Sequence, residues 1–237
     1  MLAGDHGAMN FASQPSTQRD FEAYHLLELQ IACNPADSRR VMPKIRPEHR
    51  RILDVGCGAG QTLIASGLDA QVTAIGIDSD RDALRLGRKL DKRIDFVCAK
   101  GESLPLASGH FDLVISRVSL PYMRARAAIA EMARVLRPGG DIWLVLHPAS
   151  RLKQEFTDCV KRGEIKGALH RLYVMGNGAI ASLTGREFPS PVSGRYESYQ
   201  TEERVRGELE ALGFADIAIR RKGFFVVTAR KTQPTTH

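Results

Sequence analysis

From Arg51 onward, short apolar runs alternate with stretches whose apolar residues recur every three or four positions. Ile52–Val55, Val72–Ile77, Ile94–Cys98, a run centred on Leu113–Ile115, and Ile142–Leu146 read as five strands. Helices are predicted between them. One runs from Gln61 to Gly67, one from a cap at Ser79 or Asp80 to Leu90, and one from Ala127 to Leu136, closed by Pro138-Gly139-Gly140. Upstream, Phe21, Tyr24, Leu27 and Ile31 share a helical face that ends at Asn34-Pro35. Downstream, Thr201 starts a capped helix to Leu212, and Gly213 stops it. Ile217–Ile219 and Phe224–Thr228 then read as an antiparallel pair joined through Arg221-Lys222-Gly223.

Strands alternating with helices imply an α/β fold, with a parallel sheet covered on both faces. Such sheets bind ligands beyond the C-terminal ends of their strands. The rhythm divides the chain into four stretches. Residues 1–48 form a tail, disordered over 1–17, and a helical cap. Residues 49–147 form the core. Residues 148–200, rich in glycine and proline, form an inserted cap or lid. Residues 201–237 add the helix and strands that complete the sheet.

Composition changes this picture little. The 237 residues are 43% hydrophobic and 26% charged, an ordinary globular balance. No apolar run is long enough to span a bilayer, and the N-terminus lacks the pattern of a secretion signal. Cys33, Cys57, Cys98 and Cys159 are scattered, without metal-ligand or redox spacing, so no metal is expected and a cytoplasmic location fits. The net charge of +7 is spread along the chain. It reads as a solvated surface, with an anionic small substrate as the next choice and nucleic acid disfavoured.

The chemistry concentrates after the first strand. Asp54-x-Gly56-x-Gly58-x-Gly60 lies between a strand and a helix. Glycines there let the backbone turn sharply and approach a ligand, and the following helix offers free N–H groups. Asp78 ends the next strand, 18 residues after Gly60. A carboxylate at that place can accept from both hydroxyls of a ribose. The dinucleotide fingerprint is Gly-x-Gly-x-x-Gly, whereas this spacing is Gly-x-Gly-x-Gly with an acid before it. A pyrophosphate would avoid that acid, and a cationic sulfonium would not.

Ile52-Leu53-Asp54-Val55-Gly56-Cys57-Gly58-Ala59-Gly60 resembles motif I of class I S-adenosylmethionine-dependent methyltransferases. Leu104-Pro105-Leu106 with Phe111-Asp112-Leu113-Val114-Ile115-Ser116 resembles their fourth-strand motif. Arg134-Val135-Leu136-Arg137-Pro138-Gly139-Gly140 resembles the turn before their fifth strand. The likeness is to small-molecule enzymes of the ubiquinone/menaquinone methyltransferase type. It implies a Rossmann-like, seven-stranded, mostly parallel sheet of order 3-2-1-4-5-7-6, with helices on both faces and a small helical cap. It implies S-adenosyl-L-methionine as cofactor and S-adenosyl-L-homocysteine as product. By position, Gly56, Cys57, Gly58 and Gly60 would line the methionine part, with Asp54 beneath. Asp78 would hold the ribose, and Ser79, Gly101 and Glu102 would border the adenine. Ser116 and Arg117 would offer backbone groups near the methionine amine. One departure stands out: the family's usual adenine-binding Asp is replaced by Lys100, which cannot accept a hydrogen bond. Glu102, a backbone carbonyl or packing must replace it.

Methyl transfer from a sulfonium is an in-line displacement, so alignment and exclusion of water matter most. His147 and Tyr122 both follow a strand's C-terminal end and are the candidates to touch the acceptor, His147 as a base and Tyr122 as an orienting group. Each is as readily explained by packing. Tyr24, Tyr173, Arg195, Tyr196 and Tyr199 are candidates to line the acceptor pocket. The expected acceptor is an aromatic or acidic small metabolite, and a homodimer is admitted. Two alternatives stay open, an RNA or protein methyltransferase and a non-catalytic cofactor-binding partner protein.

Overall fold

The structure, a computed structural model, describes residues 18–191, 194–222 and 224–233. The disorder expected over residues 1–17, and Gly223 of the expected hairpin turn, lie outside the described residues. The elements in chain order are α1 (Gln18–Cys33), β1 (Arg51–Val55), α2 (Gln61–Ala65), β2 (Thr73–Asp78), α3 (Arg81–Leu90), β3 (Ile94–Cys98) and β4 (Phe111–Arg117). They continue with a 3-10 turn at Leu120–Tyr122, α4 (Ala125–Val135), β5 (Leu136–Leu146), α5 (Ala149–Lys161), α6 (Ile165–Thr184), α7 (Glu202–Ala211), β6 (Phe214–Lys222) and β7 (Phe224–Lys231).

The strands form one sheet of order β3-β2-β1-β4-β5-β7-β6, as the resemblance implied. β1 pairs in parallel with β2 and β4, and β7 pairs antiparallel with β5 and β6. Alternate residues of each central strand feed two cores. Leu53, Val55, Val114 and Leu144 pack on one face with Met132 of α4 and Leu209 of α7. Ile52, Leu113, Ile115 and Trp143 pack on the other with Leu63 and Leu84. Burial on both faces is why these strands read as apolar runs without polar alternation. The strand order reverses between β1 and β4, and a crevice opens there above the sheet.

Several boundaries differ from expectation. α1 is longer than its apolar face, and α2 stops at Ala65, two residues before Gly67. β5 begins at Leu136, because Leu136 already pairs with Phe111 across a register shift. Arg134-to-Gly140 is therefore half helix end and half strand. The glycine-rich stretch 148–200 is more helical than its composition predicts, since Gly167, Gly176 and Gly178 all lie inside α6. Gly178 is there for space: a Cβ on it would meet the Tyr199 ring at 2.3 Å. Among the described residues, no helix is long and apolar enough to cross a membrane.

Candidate functional site

A cleft of about 2400 Å³ opens over the C-terminal ends of β1, β2 and β4. Its floor is the loop after β1. Gly56, Gly58 and Gly60 all have positive φ, at 74°, 56° and 79°. Gly56 and Gly58 face the cleft. A Cβ on Gly56 would meet Ser119 at 2.2 Å, so the loop also packs tightly against the segment after β4. Gly60 is not among the residues lining the cleft; a Cβ there would strike the Phe96 ring at 2.7 Å, so the third glycine serves helix-to-strand packing.

Two carboxylates define the floor's electrostatics. Asp78 Oδ2 accepts from the Gly58 N–H at 2.8 Å, and Oδ1 accepts from the Asp80 N–H at 2.9 Å. Each oxygen keeps a lone pair for a ligand. The cap of α3 is Asp80, which accepts from the N–H groups of Asp82 and Ala83. Asp78 is thereby left to the loop and the cleft. Asp54 is fully buried under the loop, and neither of its oxygens has a hydrogen-bond partner among the described residues. Burial pushes its pKa up to about 7, against the pull of the Arg117 guanidinium. A buried carboxylate without a donor is costly. A cationic group in the cleft would offset that cost, so the residues present fit a methionine-type ammonium. Cys57 is buried as well, with its Sγ 3.4 Å from the Gly58 carbonyl; burial pushes this thiol up.

The walls bring the remaining candidates together unevenly. Ser79, Gly101, Glu102 and Lys100 lie on the cleft beside Asp78. Glu102 Oε1 accepts from the Arg124 N–H at 2.9 Å, so this carboxylate already caps the start of α4. Ser116 lies beneath the surface: its Oγ is 2.7 Å from Ser119 Oγ, which donates to the Val55 carbonyl at 2.8 Å. Arg117 faces the cleft and is tied to α1 and α2 by Glu28 at 3.1 Å and Thr62 at 3.2 Å.

His25, Gln61, Ser119 and Met123 went unnoticed in the sequence. His25 is buried over Gly58 and its Nδ1 is 2.8 Å from Gln61 Nε2, so α1 is latched to the glycine loop. Burial lowers the His25 pKa against the opposing carboxylates of Asp80, Asp78 and Glu28. A lone polar residue beside Tyr24 in a helical pattern carries no signal of this role.

Tyr24, Tyr122, His147, Arg195 and Tyr196 line the upper cleft. Burial pushes the Tyr24 phenol up to about 12, helped by Glu28, and raises Tyr122, helped by Glu197. Both are therefore hydroxyl donors at neutral pH rather than bases. The His147 ring lies 5.1 Å from the Phe224 ring, tilted by 32°, and burial with the Arg151 guanidinium pushes its pKa down to about 4. The Arg124 guanidinium lies 5.8 Å over the Tyr196 ring. A side cavity of about 90 Å³ continues past Tyr122 and His147 to Arg151, Glu155, Arg171 and Tyr199. Glu155 there pairs with Arg151 at 3.1 Å and Arg171 at 2.9 Å. Tyr173 lies outside both spaces: its hydroxyl donates to the Phe188 carbonyl at 2.7 Å, which fixes it in the cap. Tyr199 reaches only the side cavity, because its ring is held over Gly178.

Asp112 and Arg137 lie at the opposite end of the sheet. Asp112 accepts from the N–H groups of Arg50 and Arg51, at 2.9 and 2.7 Å, and pairs with Arg137. They hold the fold together and do not reach the cleft.

Residues 52–140 match a family described as a methyltransferase domain. The chain is 38% identical over 112 residues to the 27-O-demethylrifamycin SV methyltransferase of Amycolatopsis mediterranei, covering 42% of this chain and 41% of that one. It is 35% identical over 107 residues to an O-methyltransferase of Pyrenophora dematioidea, covering 42% and 40%. It is 38% identical over 98 residues to the ubiquinone/menaquinone biosynthesis C-methyltransferase of Methylobacterium nodulans, covering 38% and 39%. These alignments span well under half the length of each relative. Among solved structures, a Methanosarcina mazei protein described as a SAM-dependent methyltransferase matches with a TM-score of 0.56 at 20% identity, over 81% of this chain and all of that one. At that identity the likeness shows the fold.

Proposed function

We propose that this chain, whose residues 52–140 match a family described as a methyltransferase domain, moves a methyl group from S-adenosylmethionine to a small-molecule acceptor. The observation that carries this reading is the pair Asp54 and Asp78 around the glycine loop, with the Asp54 oxygens buried and lacking a donor among the described residues. The bound cofactor supplies an electrophilic methyl on a sulfonium. The chain's own residues supply everything else. Gly56, Cys57 and Gly58 let the backbone approach the methionine part. Asp54 faces its ammonium, and Asp78 accepts from the ribose hydroxyls. Ser79, Gly101 and Glu102 border the adenine, while Ser116 and Arg117 hold the wall beyond β4.

The acceptor enters from the cap side. Tyr122, a protonated phenol, orients it as a donor. His147 is neutral at pH 7 and accepts a hydrogen bond from an acceptor hydroxyl. With a pKa near 4 it is too weak a base to drive the step by itself. Tyr24, Arg195 and Tyr196 close the upper cleft. The names of the relatives, acting on a rifamycin and on quinones, support an acceptor of small-molecule size. Titration calorimetry with S-adenosylhomocysteine tests the donor side, and the expected result is saturable one-to-one binding. Absence of binding would end the proposal. Labelled methyl transfer to a panel of small phenols and acids tests the acceptor side.

A further inference from the structure

One face of α6 is exposed along the whole helix. Ile165, Leu169, Leu172, Ile180 and Leu183 are exposed by 73%, 61%, 53%, 42% and 86%. With Gly176 and Ala179 they fall within about 100° of arc and include no polar side chain. Positions 165, 169, 172, 176, 179 and 183 alternate steps of four and three, the period of a seam between two paired helices. The opposite face of α6 carries the buried Arg171, Asn177, Gly178 and Ala181 and is already used by the cap.

We propose that this face is a dimer interface: a second copy of the chain packs its own α6 against it, antiparallel, about a two-fold axis at Gly176. The face is self-complementary about that point. Leu169 meets the partner's Leu183, and Leu172 meets the partner's Ile180. At the axis nothing lies within 4 Å of a Cβ built on Gly176, so the two backbones can approach closely. Antiparallel packing also places each Lys166 at the negative end of the other helix's dipole. The patch offers on the order of 600 Å² per copy, and twice that reaches the lower bound of a stable interface. An apolar patch of this size is at the upper end of what a monomer exposes.

The test is sedimentation velocity of the full chain across the micromolar range. A dimer is expected for the wild type, and a monomer with unchanged circular dichroism and melting for Leu169→Glu/Leu172→Glu. Gly176→Leu adds a better helix former where the protomer has room, so it should not lower protomer stability and should weaken dimerisation by about tenfold or more. A wild type that stays monomeric overturns the proposal, as does a dimer that survives both variants. A monomer whose α6 face instead binds phosphatidylglycerol vesicles, or covers itself with residues 1–17 so that their removal causes dimerisation, overturns it too.

Discussion

The two ends of the sheet hold two pairs of aspartates with opposite surroundings. At the C-terminal ends of β1 and β2, Asp54 has no donor among the described residues and Asp78 is only partly engaged. At the other end, Asp112 accepts from two backbone N–H groups and Arg137, and Asp141 is surrounded by Arg46, His49 and Arg230. Burial pushes the Asp112 carboxyl up, but Arg137 and the N–H groups of Arg51 and Arg50 outweigh it and hold the pKa low. For Asp54 the balance goes the other way. An acid saturated by the protein stabilises the fold. An acid with no donor among the described residues, under a loop of positive-φ glycines, does not serve the fold in that way. Both belong to motifs of the same family resemblance, yet only one end of the sheet faces the cleft.

This contrast is sharpest under substitution. Asp78→Ala should weaken S-adenosylhomocysteine binding by about 100-fold or more, since two hydrogen bonds to a charged group are lost. Calorimetry measures it, and wild-type affinity in the variant would remove the ribose assignment. Asp112→Ala should do the reverse. It leaves Arg137 and two N–H groups without their acceptor, costing roughly 3 kcal/mol in denaturant unfolding with little change in cofactor affinity. A large loss of affinity at unchanged stability would break the comparison.

A smaller effect concerns pH. The Asp54 carboxyl titrates near 7 in the free protein and near 3.8 when exposed. Between those values the folded chain holds a proton that the unfolded chain has released, so this group lowers stability as pH rises through the window. Affinity for the cationic cofactor should rise over the same window, by at most about tenfold per pH unit. Asp54→Asn should flatten both trends, and an unaltered pH profile would separate Asp54 from the ligand. The smallest change is expected for His147→Gln, about fivefold or less in kcat, as one neutral hydrogen bond contributes about 1 kcal/mol. A loss of a hundredfold or more would restore His147 as a general base.

The core was legible because its residues answer to local rules. Strands buried on both faces must be apolar, and a sharp turn at positive φ favours glycine. A helix start beside Asp80 needs an acceptor at its cap. The sheet order followed from the family resemblance carried by those motifs. The stretch 148–200 was not legible. Gly167, Gly176 and Gly178 looked like breaks, yet each sits in α6; the space needed by Cys159 decides Gly167 and that needed by Tyr199 decides Gly178. Tyr173 and Tyr199 looked equally available, but one hydroxyl is spent on Phe188 and one ring on Gly178. The latch of His25 on Gln61 joins residues 36 positions apart, and no local pattern announces it.

The sequence alone determined that a strand, a loop with Gly56 and Gly58, and an acid at the next strand's end would form the floor of one cleft. Those features depend on backbone conformation and on neighbours a few residues away. Only the tertiary structure decided which acids stay open. Asp54 and Asp112 are both buried near strand ends. What separates them is which distant donors, Arg50, Arg51 and Arg137, the fold brings within hydrogen-bond reach. A carboxylate's role depends on the donors around it, and those are set by packing across the whole chain.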